Sequence, residues 1–307
     1  MRLTIVMYHY VRPIAGSAYP GIKGLELAGF HRQLDYLQQH YTVVTAEAVL
    51  AHLHGEATLP ENACWLTFDD GYRDHLQHAL PALLERGLQG SFFPPARPIL
   101  EGKMLDVNAI QFILASGEQI AALLGDLRDY CLASGLPSSH WQRIYQQQAS
   151  ASRYDPAPVV AFKRLLQRAL PAGLRQQAIN TLFAKYVAID EATFCRELYL
   201  CTDELRLLLA NGMFVGSHGY DHNWLNTLSS QQQANDINRS LGFLDDLGVA
   251  LDSWIMCYPY GAYNDDTLDV LRQHHCAAGL TTQVAVADLA EHSPLELPRL
   301  NTNDFPQ

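Results

Sequence analysis

The sequence predicts an α/β fold with a parallel sheet that closes on itself, and three observations predict it. Short apolar runs rich in β-branched or aromatic residues alternate with stretches of helical spacing. Strands alternating with helices argue a parallel sheet, and about eight such runs in one chain argue closure as a barrel-like (β/α) fold. One segment breaks the rhythm: from about Pro98 to Glu204 the sequence offers helical pieces and no convincing strand. The expected organisation is therefore a barrel domain over 1–97 and 205–307, with a helical insertion over 98–204.

The elements follow in order. "LTIVMYHYV" (3–11) reads as a strand, and a Gly/Pro-rich loop runs from Pro13 to Gly29. "FHRQLDYLQQH" (30–40) spaces Phe30, Leu34 and Leu37 as one helical face, and "YTVVT" (41–45) is a short strand. A helix from Ala46 to about His54 leads into the strand that ends "CWLTFDDGY" (64–72). His75 to Arg86 reads as a helix closed by Gly87, and "GSFFPP" (90–95) is a strand stopped by its prolines. The insertion carries helical pieces such as "VVAFKRLLQRAL". Beyond it come the strand "MFVGSHG" (213–219), a helix near Ser230–Leu247 and the strand "SWIMCYPYG" (253–261). A helix near Asp265–His274 and the strands "CAAGLTT" (276–282) and "LPRLN" (297–301) complete the chain.

The chain has 307 residues, enough for a large core, with ordinary hydrophobic and charged contents of 48% and 17%. Its net charge of −11 argues against nucleic acid or an anionic membrane surface as a partner. No run reaches the length of a membrane span. The first apolar residues are interrupted by His9, Arg12 and Pro13 before a secretory core can form. The six cysteines show no CxxC pairing and read as buried free thiols. A cytoplasmic location is the expectation.

Two adjacent carboxylates at the mouth of an apolar strand repel each other and resist desolvation, so Asp69 and Asp70 call for a reason beyond a turn. "SHGYDH" supplies one: His218 and His222 stand i, i+4 after a predicted strand, and on one helical turn both imidazoles would point the same way. Two histidines and one carboxylate suit a divalent metal with positions left open for water. One aspartate can then ligate the metal while its neighbour accepts a proton from water whose pKa the metal lowers to about 7. Zn is the first choice of metal, with Co, Ni, Mn and Fe as alternatives.

"TFDDGY", "SHGYDH" and "YPYG", in this order, resemble the metal-dependent polysaccharide deacetylases, the NodB-like carbohydrate esterase family 4. The opening "MYHYV" and closing "LPRLN" resemble the branch found with bacterial surface-polysaccharide genes. The resemblance implies a distorted (β/α)7-type barrel. It implies Asp69 as general base, Asp70, His218 and His222 as metal ligands, and the backbone N–H of Tyr260 in an oxyanion hole. The activity implied is hydrolysis of an N-acetyl group on a carbohydrate or glycan precursor, with an O-acetyl group as second choice. Two other readings stay open: cleavage of other C–N bonds (formamides, cyclic ureides or imides), and a catalytically degenerate carbohydrate-binding protein. A homodimer formed through the insertion is a further expectation.

The chain departs from the family pattern in three places. Cys257 stands where an arginine is usual, two residues before the central proline, and the tryptophan-containing fourth motif is missing. So is the late leucine-framed histidine that acts as general acid. Arg299, at the end of a late strand, is the candidate replacement for the arginine and the partner expected for Asp69. His9, at the end of the first strand, is a candidate at the substrate and for the missing acid, and Trp224 is a candidate sugar platform.

Overall fold

The computed structural model describes residues 1–306. Its first part runs β1 (Arg2–Tyr8), α1 (Leu27–His40), β2 (Thr42–Val43), α2 (Ala46–Leu53) and β3 (Ala63–Asp69). A π-helical turn over His75–Ala79, α3 (Leu80–Glu85), β4 (Ser91–Phe93) and α4 (Ala96–Glu101) follow. Then come α5 (Asp106–Leu114), α6 (Ile120–Ala133), α7 (Ser138–Gln148), α8 (Ala157–Arg164), α9 (Ala172–Tyr186) and α10 (Glu191–Leu198). The last part holds α11 (Thr202–Ala210), β5 (Phe214–Val215), α12 (Ser230–Asp246), β6 (Ile255–Cys257) and α13 (Asp265–Gln273). It ends with β7 (Ala278–Leu280), β8 (Ala287–Asp288) and β9 (Leu300–Asn301).

The strands form a parallel circuit. β1 pairs with β3, β3 with β4, and β4 with β5, all in parallel register. On its other side β1 pairs in parallel with β9, and β6 pairs in parallel with β7. Two single bridges join these pieces, Ser217 to Met256 and Leu280 to Leu297. Each bridge is held by a pair of backbone hydrogen bonds: Ser217 N–H to Ile255 O and Cys257 N–H to Ser217 O at 2.9 and 2.8 Å, Thr281 N–H to Leu297 O and Leu297 N–H to Gly279 O at 2.9 and 2.8 Å. β1, β3, β4, β5, β6, β7 and β9 are therefore the staves of a distorted (β/α)7-type barrel. β2 extends the β3 ladder, and β8 lies antiparallel against the start of β1.

The period of two sorts side chains between inside and outside. Leu3, Ile5, Ala63, Trp65, Phe93, Ile255, Cys257, Ala278, Leu280 and Leu297 share one buried cluster. Their strand neighbours Val6, Tyr8, Cys64, Leu66, Phe68, Phe92, Met256 and Tyr258 join the other, with Leu34 and Leu37 of α1 and Ile237 and Leu244 of α12. Continuing the first series up β3 places Thr67 and then Asp69 on the inward face. Sequence periodicity thus aims the first carboxylate into the barrel.

Close packing defines two compact units: Met1–Arg12, Gly24–Lys103 and Cys195–Gln307 in one, Pro13–Lys23 and Met104–Phe194 in the other. The barrel unit retains α4 and α11, which the sequence boundaries 98–204 would have cut. Arg97 and Glu101 of α4 pair with Asp221 and Arg239 of the barrel. The second unit is helical, centred on a T-shaped trio in which Phe112 and Phe183 meet Phe194 at 4.8 and 4.9 Å. Tyr19 adds an edge contact to Phe112 at 4.8 Å, which draws Pro13–Lys23 into this unit rather than into the barrel. Among the described residues no helix is long and apolar enough to cross a membrane.

Gly279 of β7 is tightly enclosed, and an added Cβ would lie 2.2 Å from Leu295 O. Gly279→Ala should lower stability by about 1–3 kcal/mol through overpacking. Gly242→Ala, mid-helix in α12 with nothing within 4 Å of the new methyl, should raise it by about 0.4–1 kcal/mol. Urea midpoints moving in opposite directions would bear this out; equal shifts would contradict it.

Candidate functional site

Asp69 is the last residue of β3 and is buried. Arg299, also buried, grips it with two hydrogen bonds, Nη1 to Oδ1 at 2.8 Å and Nη2 to Oδ2 at 2.7 Å. Two further guanidinium donors, Nε–H and the second Nη1–H, reach Thr281 O at 2.9 Å and Thr67 Oγ1 at 3.1 Å. Burial would raise the Asp69 carboxyl, but the Arg299 charge and its hydrogen bonds outweigh it and lower the pKa to about 2. Asp69 is held ionised and in one orientation.

Asp70 leaves the strand in the left-handed region, φ 72°, and Gly71 follows at φ 64°. A Cβ on Gly71 would come within 2.7 Å of Pro94 Cβ, so only glycine fits both the angle and the space. This turn swings the second carboxylate away from the first. Asp70 Oδ1 lies 3.3 Å from Nε2 of His218 and 3.3 Å from Nε2 of His222, and all three residues are buried. Oδ2 accepts a 2.5 Å hydrogen bond from the Tyr72 hydroxyl. Burial and the Asp70 charge push that phenol well above its usual range, so it remains a donor.

His218 and His222 do not stand on a helical turn. They belong to a loop that follows the Ser217 bridge, and His222 has φ 55°. Spacing of four survives because Asp236 of α12 gathers the loop, accepting hydrogen bonds from Tyr220 N–H at 2.8 Å and Asp221 N–H at 3.1 Å. The His218 Nδ1 ring nitrogen lies 2.7 Å from Cys257 O, which fixes Nδ1–H as donor and turns Nε2 toward Asp70.

This donor set fits a divalent cation. Two imidazole nitrogens and a carboxylate oxygen converge within 4.8 Å of one another. Burial lowers the His222 pKa and favours its neutral, ligating form. Burial also disfavours a charged His218, yet the hydrogen bond to Asp70 and the nearby Asp69 charge hold its pKa well above the usual range. A pocket that draws a proton to this spot suits a metal cation, which competes for the same lone pair.

The other residues singled out from the sequence surround this centre. His9 follows β1, is 38% exposed, and places Nε2 3.9 Å from Asp69 Oδ2. Tyr260 has φ 58°, its ring 4.7 Å edge-on to His222, and Trp224 stacks on it at 4.3 Å and 9°. Cys257 is buried beside Asp69 and His218. Burial raises its thiol pKa, so it adds no charge where the family pattern has an arginine. Phe92 and Phe93 are core residues. The reading of all six cysteines as buried does not hold, because Cys201 is exposed at the start of α11.

Sequence reading missed two residues. Tyr72 lies inside the quoted motif, and its signal was a phenol directly after a buried turn. Asp236 lies on the buried face of α12 with Gln233, Ile237 and Ser240, and an acid among buried positions was the cue.

Residues 150–279 match the family model described as polysaccharide deacetylase, a span that holds His218, His222, Cys257 and Tyr260. An 89-residue stretch is 29% identical to YxkH, a candidate polysaccharide deacetylase of Bacillus subtilis strain 168. That match covers 29% of this chain and 32% of the relative, about a third of its length. Among solved structures, the Streptococcus pyogenes deacetylase PplD, in complex with acetate, superposes with TM-score 0.61 at 17% identity over 98% of this chain and 92% of that one. IcaB from Ammonifex degensii gives 0.57 at 19% over 98% and 91%. The BpsB deacetylase domain of Bordetella bronchiseptica gives 0.59 at 13% over 98% and 95%. At these identities the likeness is one of fold. Residues 150–279 are thus similar to polysaccharide deacetylases, and the chain shares the fold of solved deacetylases.

Removing Arg299 would leave a buried carboxylate without its cation. Arg299→Ala should cost about 3–5 kcal/mol in urea unfolding, and Asp69→Asn combined with it should recover part of the loss. Additive costs in the double variant would show that the pair is not coupled.

Proposed function

We propose that the chain is a metal-dependent hydrolase that removes an N-acetyl group from an amino sugar within a carbohydrate. The observation that carries this is the pair of neighbouring aspartates with separate partners: Asp69 clamped by Arg299, Asp70 converging with His218 and His222. When bound, the divalent cation supplies positive charge that acidifies water and polarises the amide carbonyl.

The protein residues carry the rest. Asp69 accepts the proton that water loses as its oxygen attacks the acetyl carbon. A carboxylate lowered to about 2 is a weak base, so its contribution is constant ionisation and a fixed direction rather than basicity. The Tyr260 N–H is assigned to the developing oxyanion, supported by the left-handed backbone that sets Tyr260 beside His222. As the C–N bond breaks, the departing nitrogen needs a proton. His9, partly exposed and beside Asp69, is assigned to supply it. Acetate and a free amine leave. Trp224, stacked on Tyr260, is assigned to the sugar face.

Acetate release from N-acetylglucosamine oligomers by Zn(II)- or Co(II)-loaded protein tests the reading. Asp69→Asn should retain metal while turnover falls by ~10²–10⁴. His218→Ala should lose the metal. Stoichiometric metal retained in His218→Ala would refute the ligand assignment, and metal loaded without acetate release would refute the activity.

A further inference from the structure

The two oxygens of Asp70 have different surroundings. Oδ1 faces the two imidazoles at 3.3 Å, whereas Oδ2 is taken by the Tyr72 hydroxyl at 2.5 Å. A phenol–carboxylate bond of this length belongs to the strong charge-assisted class. Tyr72 itself has no freedom to swing. Its ring is fully buried, lies parallel to Tyr10 at 4.1 Å and 13°, and stacks more loosely on Tyr199 at 6.3 Å. Its backbone is pinned by an antiparallel bridge to Tyr199 and by Leu200 N–H donating to Gly71 O at 2.9 Å. The hydroxyl is thus set by the turn after β3, by the residue two beyond β1, and by the segment after α10.

We propose that Tyr72 is a positioning residue: it ties Oδ2 of Asp70 so that the carboxylate meets a divalent cation through Oδ1 alone. This rests on the metal-dependent reading above and assigns that reading a further residue. A carboxylate free at both oxygens can rotate, or chelate a cation with both. Tied at one, it donates a single oxygen and leaves more of the shell for water and substrate. The bond also draws electron density from the carboxylate, so the cation keeps more of its pull on what binds opposite. Partners of this kind tune metal affinity by typically 10–100-fold. The competing account is that only the ring matters, as filling between Tyr10 and Tyr199.

Tyr72→Phe separates the two, since it keeps the ring and removes the hydroxyl. Metal-stripped wild type and variant are titrated with Co(II) against a chelator, and visible spectra are recorded for both loaded forms. The variant should show a 10–100-fold changed Kd and an altered Co(II) spectrum as the freed oxygen joins the shell. Its kcat for acetate release should fall while KM stays put. A variant with wild-type Kd and spectrum overturns the proposal, whatever its activity. A second measurement needs no variant: proton NMR of Zn(II)-loaded wild type should keep a downfield, exchange-protected hydroxyl signal assigned to Tyr72. Loss of that signal on loading would mean that the cation takes Oδ2, and the proposal fails. Wild type that neither binds Co(II) nor releases acetate brings down the functional reading and this inference with it. An active, loaded wild type beside an unchanged variant removes the inference alone.

Discussion

The buried pairing of Arg299 with Asp69 is the constraint around which the barrel mouth is arranged. A guanidinium taken out of water is costly unless its donors are met, and here Asp69, Thr67 and the Thr281 carbonyl meet them. These partners lie at the end of β3 and just beyond β7, while Arg299 itself directly precedes β9. One side chain therefore joins three separate parts of the wall. A lysine could offer the charge but not the planar fork that grips both carboxylate oxygens.

With one aspartate committed to Arg299, its neighbour is free for other company. Strand alternation aims Asp69 inward, and the left-handed turn at Asp70 sends the next carboxylate to the imidazoles and Tyr72. Adjacent like charges are tolerable because each has its own compensating group. Among the described residues, three of the six non-glycine positions with positive φ are Asp70, His222 and Tyr260. Such conformations are costly and persist where the surroundings enforce them, so their gathering here marks a part of the chain shaped for chemistry rather than for stability.

Much of this was legible in the sequence, for identifiable reasons. The strand–helix alternation could be read because period two and period 3.6 leave different apolar patterns. Asp69, Asp70, His218 and His222 could be picked out because charged and ligating residues at strand ends have few structural uses. Arg299 was traceable only by asking what replaces the arginine displaced by Cys257. Other features have no local signature. Spacing of four is the same on a helix as on the loop that Asp236 gathers, so the helical expectation for His218 and His222 was undetermined by pattern alone. The two-residue strands β5 and β9 are defined by partners far away in sequence. The packing of Tyr19 on Phe112 places Pro13–Lys23 by tertiary contact, which no window of sequence contains.

The circuit of strands is not equally strong all the way round. β1 and β3 share six residue pairs, the other strand pairs two or three each, and single bridges at Ser217–Met256 and Leu280–Leu297 carry the last two joints. Such joints are the natural places for local opening, where few hydrogen bonds must break. His218 stands one residue past the first of them, and Asp70 one residue past the end of the strongest stave. A cation shared by Asp70, His218 and His222 would lace the firm side of the wall to its loosest joint. Occupancy would then be felt as mechanical closure of the barrel as well as reactivity, because whatever binds only the closed form stabilises it.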